Sequence, residues 1–295
     1  MESTDSGFFT DKTIAIVGLG LIGGSYAKGL RNMGVRHIIA VDVDKVSLDQ
    51  AQEEGVIDEG YTSGGTFLGQ ADIIIFCMAA KTMISFIEEN VSYLKVTALL
   101  TDVAGIKGQT AQTITGLLPA GIDFVPGHPM AGREGCGYGM SRADIFYGAN
   151  YIIVPHQHNT ADHIAIVKAL ALALGCSHVV CVTPEEHDEL IAYTSSLPHV
   201  LATALVNSQS MNPMIKYFVA GSFRDGTRVA DINASLWTQL FLSNRKNLLC
   251  EIDHFSRSLK RFSDMLQRED TTAMIEFLQQ AAMRRRELVH EKHTH

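Results

Sequence analysis

A glycine-rich turn near the start of the chain constrains the fold most. The segment Gly18–Gly23 (GLGLIG) directly follows the apolar run Thr13–Val17 and opens a helical pattern. In such a turn the glycines allow a tight bend, the approach of a pyrophosphate to the backbone, and close packing of helix on strand. The helix N-terminus then offers free N–H groups to the anion. We expect five of its residues to contact a dinucleotide: Gly18, Gly20, Leu21, Ile22 and Gly23.

An acidic residue stands where such a site needs one. Asp42 ends the second predicted strand, 42 − 23 = 19 residues beyond Gly23. A carboxylate at this position binds the hydroxyls of the adenine-side ribose and repels the additional phosphate of NADP. No Arg follows immediately, so the sequence favours NAD, and Lys45 is the residue that would favour NADP instead. Met78 and Ala79 complete the expected cofactor contacts.

Short apolar runs alternate with amphipathic stretches through the first 182 residues, which predicts an α/β fold with a doubly wound parallel sheet. The predicted strands are Thr13–Val17, His37–Val41, Asp72–Cys77, Ala98–Asp102, Asp123–Val125, Tyr151–Val154 and His178–Val182. The predicted helices between them are Leu21–Met33, Lys45–Glu54, Thr82–Leu94, Lys107–Leu118 and Ala161–Leu174. The pattern of residues 183–295 predicts helices only. The first begins at a capping box over Thr183–Glu186, and a long apolar stripe runs over Asn233–Leu266. We therefore expect two domains that meet near Val182.

Composition excludes several classes of protein. The 24 Lys and Arg residues against 32 Asp and Glu residues give a net charge of −8, which argues against a nucleic-acid partner. The longest apolar runs are shorter than the ~20 residues of a membrane helix, and no secretory signal is visible. Five cysteines without a CxxC pair favour free thiols in a reducing cytoplasm. The twelve histidines show no metal-binding spacing, so we expect no metal.

Several motifs, in order, resemble the prephenate dehydrogenase family, which includes arogenate and cyclohexadienyl dehydrogenases. They run from Thr13 to Trp237 and comprise Val17–Ser25 (VGLGLIGGS), Thr101–Lys107 (TDVAGIK), Gly127–Gly132 (GHPMAG), Leu197–His199 (LPH) and Phe223–Arg228 (FRDGTR). The resemblance implies a Rossmann-type NAD-binding domain over 1–182 and an all-α substrate and dimerisation domain over 183–295. It also implies a cytoplasmic homodimer that converts prephenate to 4-hydroxyphenylpyruvate with NAD, in tyrosine biosynthesis.

His128 is the candidate catalytic base. It lies between Gly127 and Pro129, which suits neither a helix nor the middle of a strand, so we expect a loop that presents the imidazole. A His with a pKa near ~6.5 can accept the proton of the substrate 4-hydroxyl while hydride leaves for the nicotinamide.

The resemblance also implies the substrate contacts. Arg228 matches the family arginine that binds a substrate carboxylate, which a guanidinium fork suits. His199 matches a histidine near the substrate and nicotinamide, and Trp237 matches a residue that lines the pocket. Glu134 is a candidate for the pocket mouth.

Two departures from the family pattern affect the chemistry. Gly105 stands where the family often has a Ser bonded to the catalytic His, so a water or backbone group is expected to orient His128. Ser196 stands where a second His sometimes precedes LPH. Prephenate and arogenate both remain candidate substrates. Tyrosine is a candidate inhibitor, and it would have to act at the active site or the dimer interface.

Two other functions are weighed against this one. A β-hydroxyacid dehydrogenase would need a catalytic Lys on a helix, and no matching GxxxK segment follows Val182. An inactive NAD-binding sensor is favoured only by Gly105, whereas His128, His199 and Arg228 argue against it.

Overall fold

The computed structural model describes residues 7–108, 110–133 and 135–290. Contacts within the chain divide it into two compact units, the first ending at Ile191 and the second beginning at Ala192. The helix Pro184–Ile191 therefore belongs to the first unit, although the sequence predicted a division before it, near Val182. The reason is burial, because the side chains of His187 and Asp188 on this helix are covered.

An eight-stranded sheet forms the centre of the first unit, in the order β3-β2-β1-β4-β5-β6-β7-β8. Its strands are β1 (Thr13–Val17), β2 (His37–Val41), β3 (Glu59–Tyr61), β4 (Ile73–Phe76), β5 (Leu99–Asp102), β6 (Asp123–Pro129), β7 (Asn150–Ile153) and β8 (His178–Cys181). Every neighbouring pair is parallel except β6 and β7, which are antiparallel. This arrangement confirms the predicted doubly wound α/β class.

Helices cover both faces of the sheet, and this explains the unbroken apolar runs of its central strands. The helices of the first unit are α1 (Gly7–Thr10), α2 (Leu21–Asn32), α3 (Lys45–Glu53), α4 (Ala80–Asn90), α5 (Thr110–Leu117), α6 (Ala161–Ala173) and α7 (Pro184–Ile191). Alternate residues of β1 enter two separate cores: Ile14 and Ile16 pack with α2 and α6, whereas Ala15 and Val17 pack with α4 and α5.

The regular elements described in the second unit are all helical. A π-helical turn over Ala192–Ser196 leads into α8 (Leu197–Val206), followed by α9 (Gly221–Thr227), α10 (Ala234–Ser243), α11 (Arg245–Gln267) and α12 (Thr271–His290). The apolar stripe predicted over Asn233–Leu266 is divided between α10 and α11, because the backbone leaves the helical region at the buried Asn244. Within the described ranges, no helix combines the length and the hydropathy that crossing a bilayer requires.

A buried ion pair joins β5 to β6. Asp102 and Lys107 are each 1% exposed, and the Lys107 Nζ lies 2.8 Å from both Asp102 carboxylate oxygens. The Lys107 ammonium also donates to the Gly127 carbonyl at 2.6 Å, while Asp102 accepts the N–H groups of Gly127 and Ala104. Such a buried pair is stable only when its hydrogen bonds are satisfied, and here they fix the strand end next to His128.

We predict that Lys107→Met lowers the free energy of unfolding by about 3–5 kcal/mol, because Asp102 is left buried without its counter-charge. Urea denaturation measures the change. The matched control is Asp49→Asn, which breaks the exposed Lys45–Asp49 pair and is expected to cost about 0–1 kcal/mol. Equal stabilities of the two variants would contradict the role given to the buried pair.

Candidate active site

The glycine turn between β1 and α2 has the tight backbone bend and the close packing that its sequence predicts. Gly18 has a φ of +96°, a conformation that favours glycine, and a Cβ built there would lie 2.6 Å from the Cys77 carbonyl oxygen. A Cβ on Gly23 would lie 1.8 Å from the Gly18 carbonyl oxygen. These two glycines therefore serve the fold of the turn itself.

The N-terminus of α2 is open to an anion. No side chain caps the helix at Gly20, and its first turn, which includes Leu21 and Ile22, carries no acidic residue. A Cβ on Gly20 would meet no atom within 4 Å, so this glycine keeps space free in front of the helix N-terminus. Free N–H groups and clear space together fit the pyrophosphate of NAD.

Asp42 lies beside this turn, immediately after β2. Its Oδ2 accepts the Leu19 N–H at 2.5 Å, and its Oδ1 accepts the Asp44 N–H at 2.8 Å. The carboxylate is thus held at the position from which it would bind the ribose hydroxyls of NAD. Lys45 forms an ion pair with Asp49 at 2.7 Å on the exposed side of α3.

Met78 and Ala79 lie in the turn between β4 and α4. Because β1 and β4 are neighbours while their following helices cover opposite faces, this turn and the glycine turn flank the point where the order of the strands reverses. Ligands of doubly wound sheets bind in the crevice at that point. Met78 is half-buried, and the exposed Ala79 precedes the first residue of α4.

His128 belongs to β6, so the loop predicted around it is wrong. The strand continues to Pro129 and pairs His128 with Ile152 of β7. The preceding Gly127 makes this possible, because a Cβ there would lie 2.3 Å from the Tyr151 hydroxyl. The imidazole lies at the carboxyl edge of the sheet, since β6 runs parallel to β5 and extends past its end.

Sequence reasoning missed the group that orients His128. The His128 Nδ1 lies 2.9 Å from the His187 Nε2, and the His187 Nδ1 lies 2.7 Å from the Asp188 Oδ1. The side chain of His187 on α7 thus orients His128, whereas the sequence had predicted that a water or a backbone group near Gly105 would do so. The sequence signal that could have identified this group is the His–Asp pair directly after the capping box. The structure shows that both side chains are buried in an otherwise amphipathic helix.

The electrostatics around His128 favour its neutral form. Desolvation holds the pKa of His128 well below its ordinary value, and the Lys107 ammonium and His187 lower this pKa further. Burial also lowers the pKa of Lys107, against the opposing effect of the Asp102 carboxylate. A neutral imidazole at the edge of the sheet can accept a proton at neutral pH.

The second unit carries the other predicted substrate residues. The His199 ring on α8 stacks on the Trp237 ring of α10, with 3.6 Å between centroids and 28° between planes. The His199 Nδ1–H donates to the Ser195 carbonyl at 2.8 Å. Arg228 is exposed and begins a short 3-10 turn that packs beside α8. Ser196, by contrast, is fully buried.

Glu134 lies outside the described residues, so its predicted place at the pocket mouth stays a prediction. The described part of the chain brings one set of metal-ligand side chains together, Cys250, Glu251 and His254 on α11, with their ligand atoms within 4.8 Å of one another. None of the predicted site residues belongs to this set.

Family models match two consecutive stretches of the chain. The model described as prephenate dehydrogenase, nucleotide-binding domain, matches residues 26–181, and the one described as prephenate dehydrogenase, dimerization domain, matches residues 183–280.

Individual relatives agree with these matches. Prephenate dehydrogenase of Bacillus subtilis is 30% identical over 91% of this chain and 74% of its own length. The crystal structure of A. aeolicus prephenate dehydrogenase with hydroxyphenyl propionate and NAD+ has a TM-score of 0.86 at 30% identity, covering 94% of this chain and 98% of that one. Synechocystis arogenate dehydrogenase has a TM-score of 0.81 at 27% identity, covering 94% and 99%.

We predict that Gly20→Ala and Gly23→Ala separate cofactor binding from folding. Gly20→Ala is expected to leave the melting temperature unchanged and to weaken NAD binding about tenfold or more, because its methyl group enters the space for the pyrophosphate. Gly23→Ala is expected to lower the free energy of unfolding by at least about 1–3 kcal/mol, because the backbone must move.

The matched control is Gly116→Ala on α5, where a Cβ meets no atom within 4 Å. Calorimetric titration with NAD and thermal unfolding measure the two effects. Unchanged NAD affinity in Gly20→Ala would contradict the placement of the pyrophosphate.

Proposed function

Because this chain belongs to the prephenate dehydrogenase family and is an NAD-dependent dehydrogenase, we propose that His128 is the base in the oxidative decarboxylation of prephenate. The reaction gives 4-hydroxyphenylpyruvate, CO2 and reduced cofactor. The observation that carries this assignment is the environment of His128, a neutral imidazole held by one nitrogen at the carboxyl edge of the sheet.

The proton and the electrons have separate destinations in this proposal. His128 uses Nδ1 in its hydrogen bond to His187, so Nε2 is the nitrogen left to accept the proton of the substrate 4-hydroxyl. Bound NAD supplies the acceptor for the hydride that leaves C4. The bond from the ring to its carboxylate then breaks and CO2 leaves. The released electron pair makes the ring aromatic and returns electrons to the 4-oxygen, which takes its proton back from His128. An apolar environment is sufficient for CO2 to leave, so no acid is needed at that carbon.

Three further residues recognise the substrate in this proposal. Arg228 is assigned to a substrate carboxylate, because a guanidinium binds such a group through two parallel hydrogen bonds. His199 has its Nδ1–H committed to the Ser195 carbonyl, which leaves Nε2 as a hydrogen-bond acceptor for substrate. Trp237 supports the His199 ring by stacking. The family resemblance supports all three roles.

Arogenate is the second candidate substrate. It differs from prephenate only in carrying an amino group in place of the side-chain keto group, and the ring chemistry at His128 is the same. The likeness to Synechocystis arogenate dehydrogenase favours including it. Activity with both substrates would make the chain a cyclohexadienyl dehydrogenase.

We also propose that the second unit forms a homodimer, as the match to the family's dimerization domain suggests. Exposed apolar side chains on its last two helices, including Leu259 and Leu278, are consistent with a covered face. Tyrosine, as product or close product analogue, would inhibit by competing at the substrate site.

The first test is a matrix of prephenate or arogenate with NAD or NADP, followed by the absorbance of the reduced nicotinamide. We expect turnover with prephenate and NAD, and a loss of kcat of about 10²–10⁴-fold in His128→Asn. Asn can retain a hydrogen bond at the position of Nδ1 but has no group at the position of Nε2. Because the pKa of His128 is lowered, activity should decline only below the ordinary histidine pKa of about 6.5.

The control is His178→Asn, which removes an exposed imidazole of β8. Retained prephenate turnover in His128→Asn would contradict the assignment of the base. No turnover with either substrate in the unaltered protein would contradict the proposed reaction.

A further inference from the structure

A chain of hydrogen bonds leads from His128 into the interior of the first unit. His128 Nδ1 contacts His187 Nε2 at 2.9 Å, and His187 Nδ1 contacts Asp188 Oδ1 at 2.7 Å. His187 is 1% exposed and Asp188 is 6% exposed. The two residues lie on α7, whereas His128 lies on β6, so the chain connects two elements.

The inner end of this chain has a fixed hydrogen-bond polarity. Asp188 Oδ1 accepts the Lys107 backbone N–H at 2.9 Å, and Asp188 Oδ2 accepts the Gly108 backbone N–H at 2.6 Å. A backbone N–H can only donate, so both carboxylate oxygens act as acceptors. The hydrogen between His187 and Asp188 therefore belongs to His187 Nδ1.

This polarity determines the tautomer of both histidines. A neutral His187 protonated at Nδ1 presents a lone pair at Nε2. His128 must then donate its own Nδ1–H to that lone pair, and its Nε2 is left without a proton. In the opposite tautomer His128 would carry its hydrogen on Nε2 and could not accept the substrate proton.

We infer that His187 and Asp188 are positioning residues that hold His128 in its base-competent tautomer and take up the positive charge formed during the reaction. This inference rests on the proposed function of His128. When the substrate hydroxyl proton binds His128 Nε2, the proton on His128 Nδ1 moves to His187 Nε2. The charge then resides on His187, whose Nδ1–H faces the Asp188 carboxylate.

The surrounding charges agree with this transfer. The groups of the first unit that act on His128 are Lys107, which pairs with Asp102, and His187, which pairs with Asp188. The Lys107 ammonium lowers the pKa of His128, which disfavours leaving the charge there. The Asp188 carboxylate contacts His187, and it therefore favours a positive charge on His187 over one on His128.

The decisive variants are Asp188→Asn and His187→Gln. An amide at position 188 has no negative charge to stabilise a proton on His187, and its NH2 group can donate to His187 Nδ1 and so reverse both tautomers. We therefore expect kcat to fall about 10²–10⁴-fold with little change in the KM for prephenate and NAD. A glutamine at position 187 can still accept from His128 Nδ1–H but cannot take a proton. We expect about a tenfold loss of kcat.

The pH profile separates this role from a structural one. A proton that the His128–His187 pair takes up can reside on His187, whereas in His187→Gln it has to stay on His128 beside the Lys107 ammonium. His187→Gln should therefore move the acidic limb of kcat/KM to lower pH. The matched controls are His163→Gln and Asp123→Asn, which alter a His–Asp pair on α6 and β6 whose contact of 2.9 Å is close to the 2.7 Å of His187–Asp188. These controls should leave kcat and the pH profile unchanged.

Nitrogen-15 NMR of histidine-labelled protein tests the tautomer without turnover. We expect His128 and His187 to carry their hydrogens on Nδ1, with the resonances assigned from the His128→Asn and His187→Gln variants. A proton on His128 Nε2 in the unaltered protein would overturn the inference, as would an Asp188→Asn protein that folds and retains kcat within about twofold. If Asp188→Asn does not fold, the NMR result and the kinetics of His187→Gln still test the positioning role of His187.

Failure of the proposed function gives a different result. In that case His128→Asn retains prephenate turnover whatever the tautomer shows. If instead His128→Asn is inactive while His187→Gln keeps both kcat and the acidic limb of the pH profile, His128 is the base and His187 has a packing role only.

Discussion

The Asp102 carboxylate is the interaction on which the geometry of the candidate site depends. It lies at the end of β5 and accepts hydrogen bonds from the Lys107 ammonium and from the N–H groups of Ala104 and Gly127. Removing an ion pair from water costs several kcal/mol per ion, and only complete hydrogen bonding offsets this cost. The fixed loop and the fixed strand end that result place His128 and the backbone of Lys107 opposite α7.

The same ion pair has an electrostatic consequence for the chemistry. A buried ammonium next to an imidazole disfavours a second positive charge, and desolvation acts in the same direction, so the pKa of His128 is lowered. A base that is neutral over the whole neutral pH range does not need a hydroxyl group at position 105 to remain deprotonated. The charge distribution around His128, and not a side chain at position 105, therefore keeps its imidazole neutral.

Most of the first unit could be predicted from sequence, because strands buried on both faces are continuous apolar runs bounded by glycine or polar residues. β1 and β2 have the predicted bounds, and Asp42 lies beside the glycine turn as expected. The three-residue strand β3 was not predicted, because Glu59–Tyr61 is short and polar and depends on pairing with β2. His128 was predicted in a loop because the antiparallel pairing with β7, which extends β6 past Gly127, is not visible in the local sequence.

The functional residues that were missed share a physical cause. His187, Asp188 and Lys107 acquire their roles only through contacts between elements distant in the chain, such as the hydrogen bonds from the Lys107 and Gly108 backbone to Asp188. A local pattern shows that a histidine lies on a helix, but not which atoms face its two nitrogens. In both units the structure commits the Nδ1 of a candidate site histidine to a neighbour, His187 for His128 and the Ser195 carbonyl for His199. Because the hydrogen on Nδ1 is fixed in each case, Nε2 is the atom available for substrate, and two histidines with different sequence surroundings present the same chemical group.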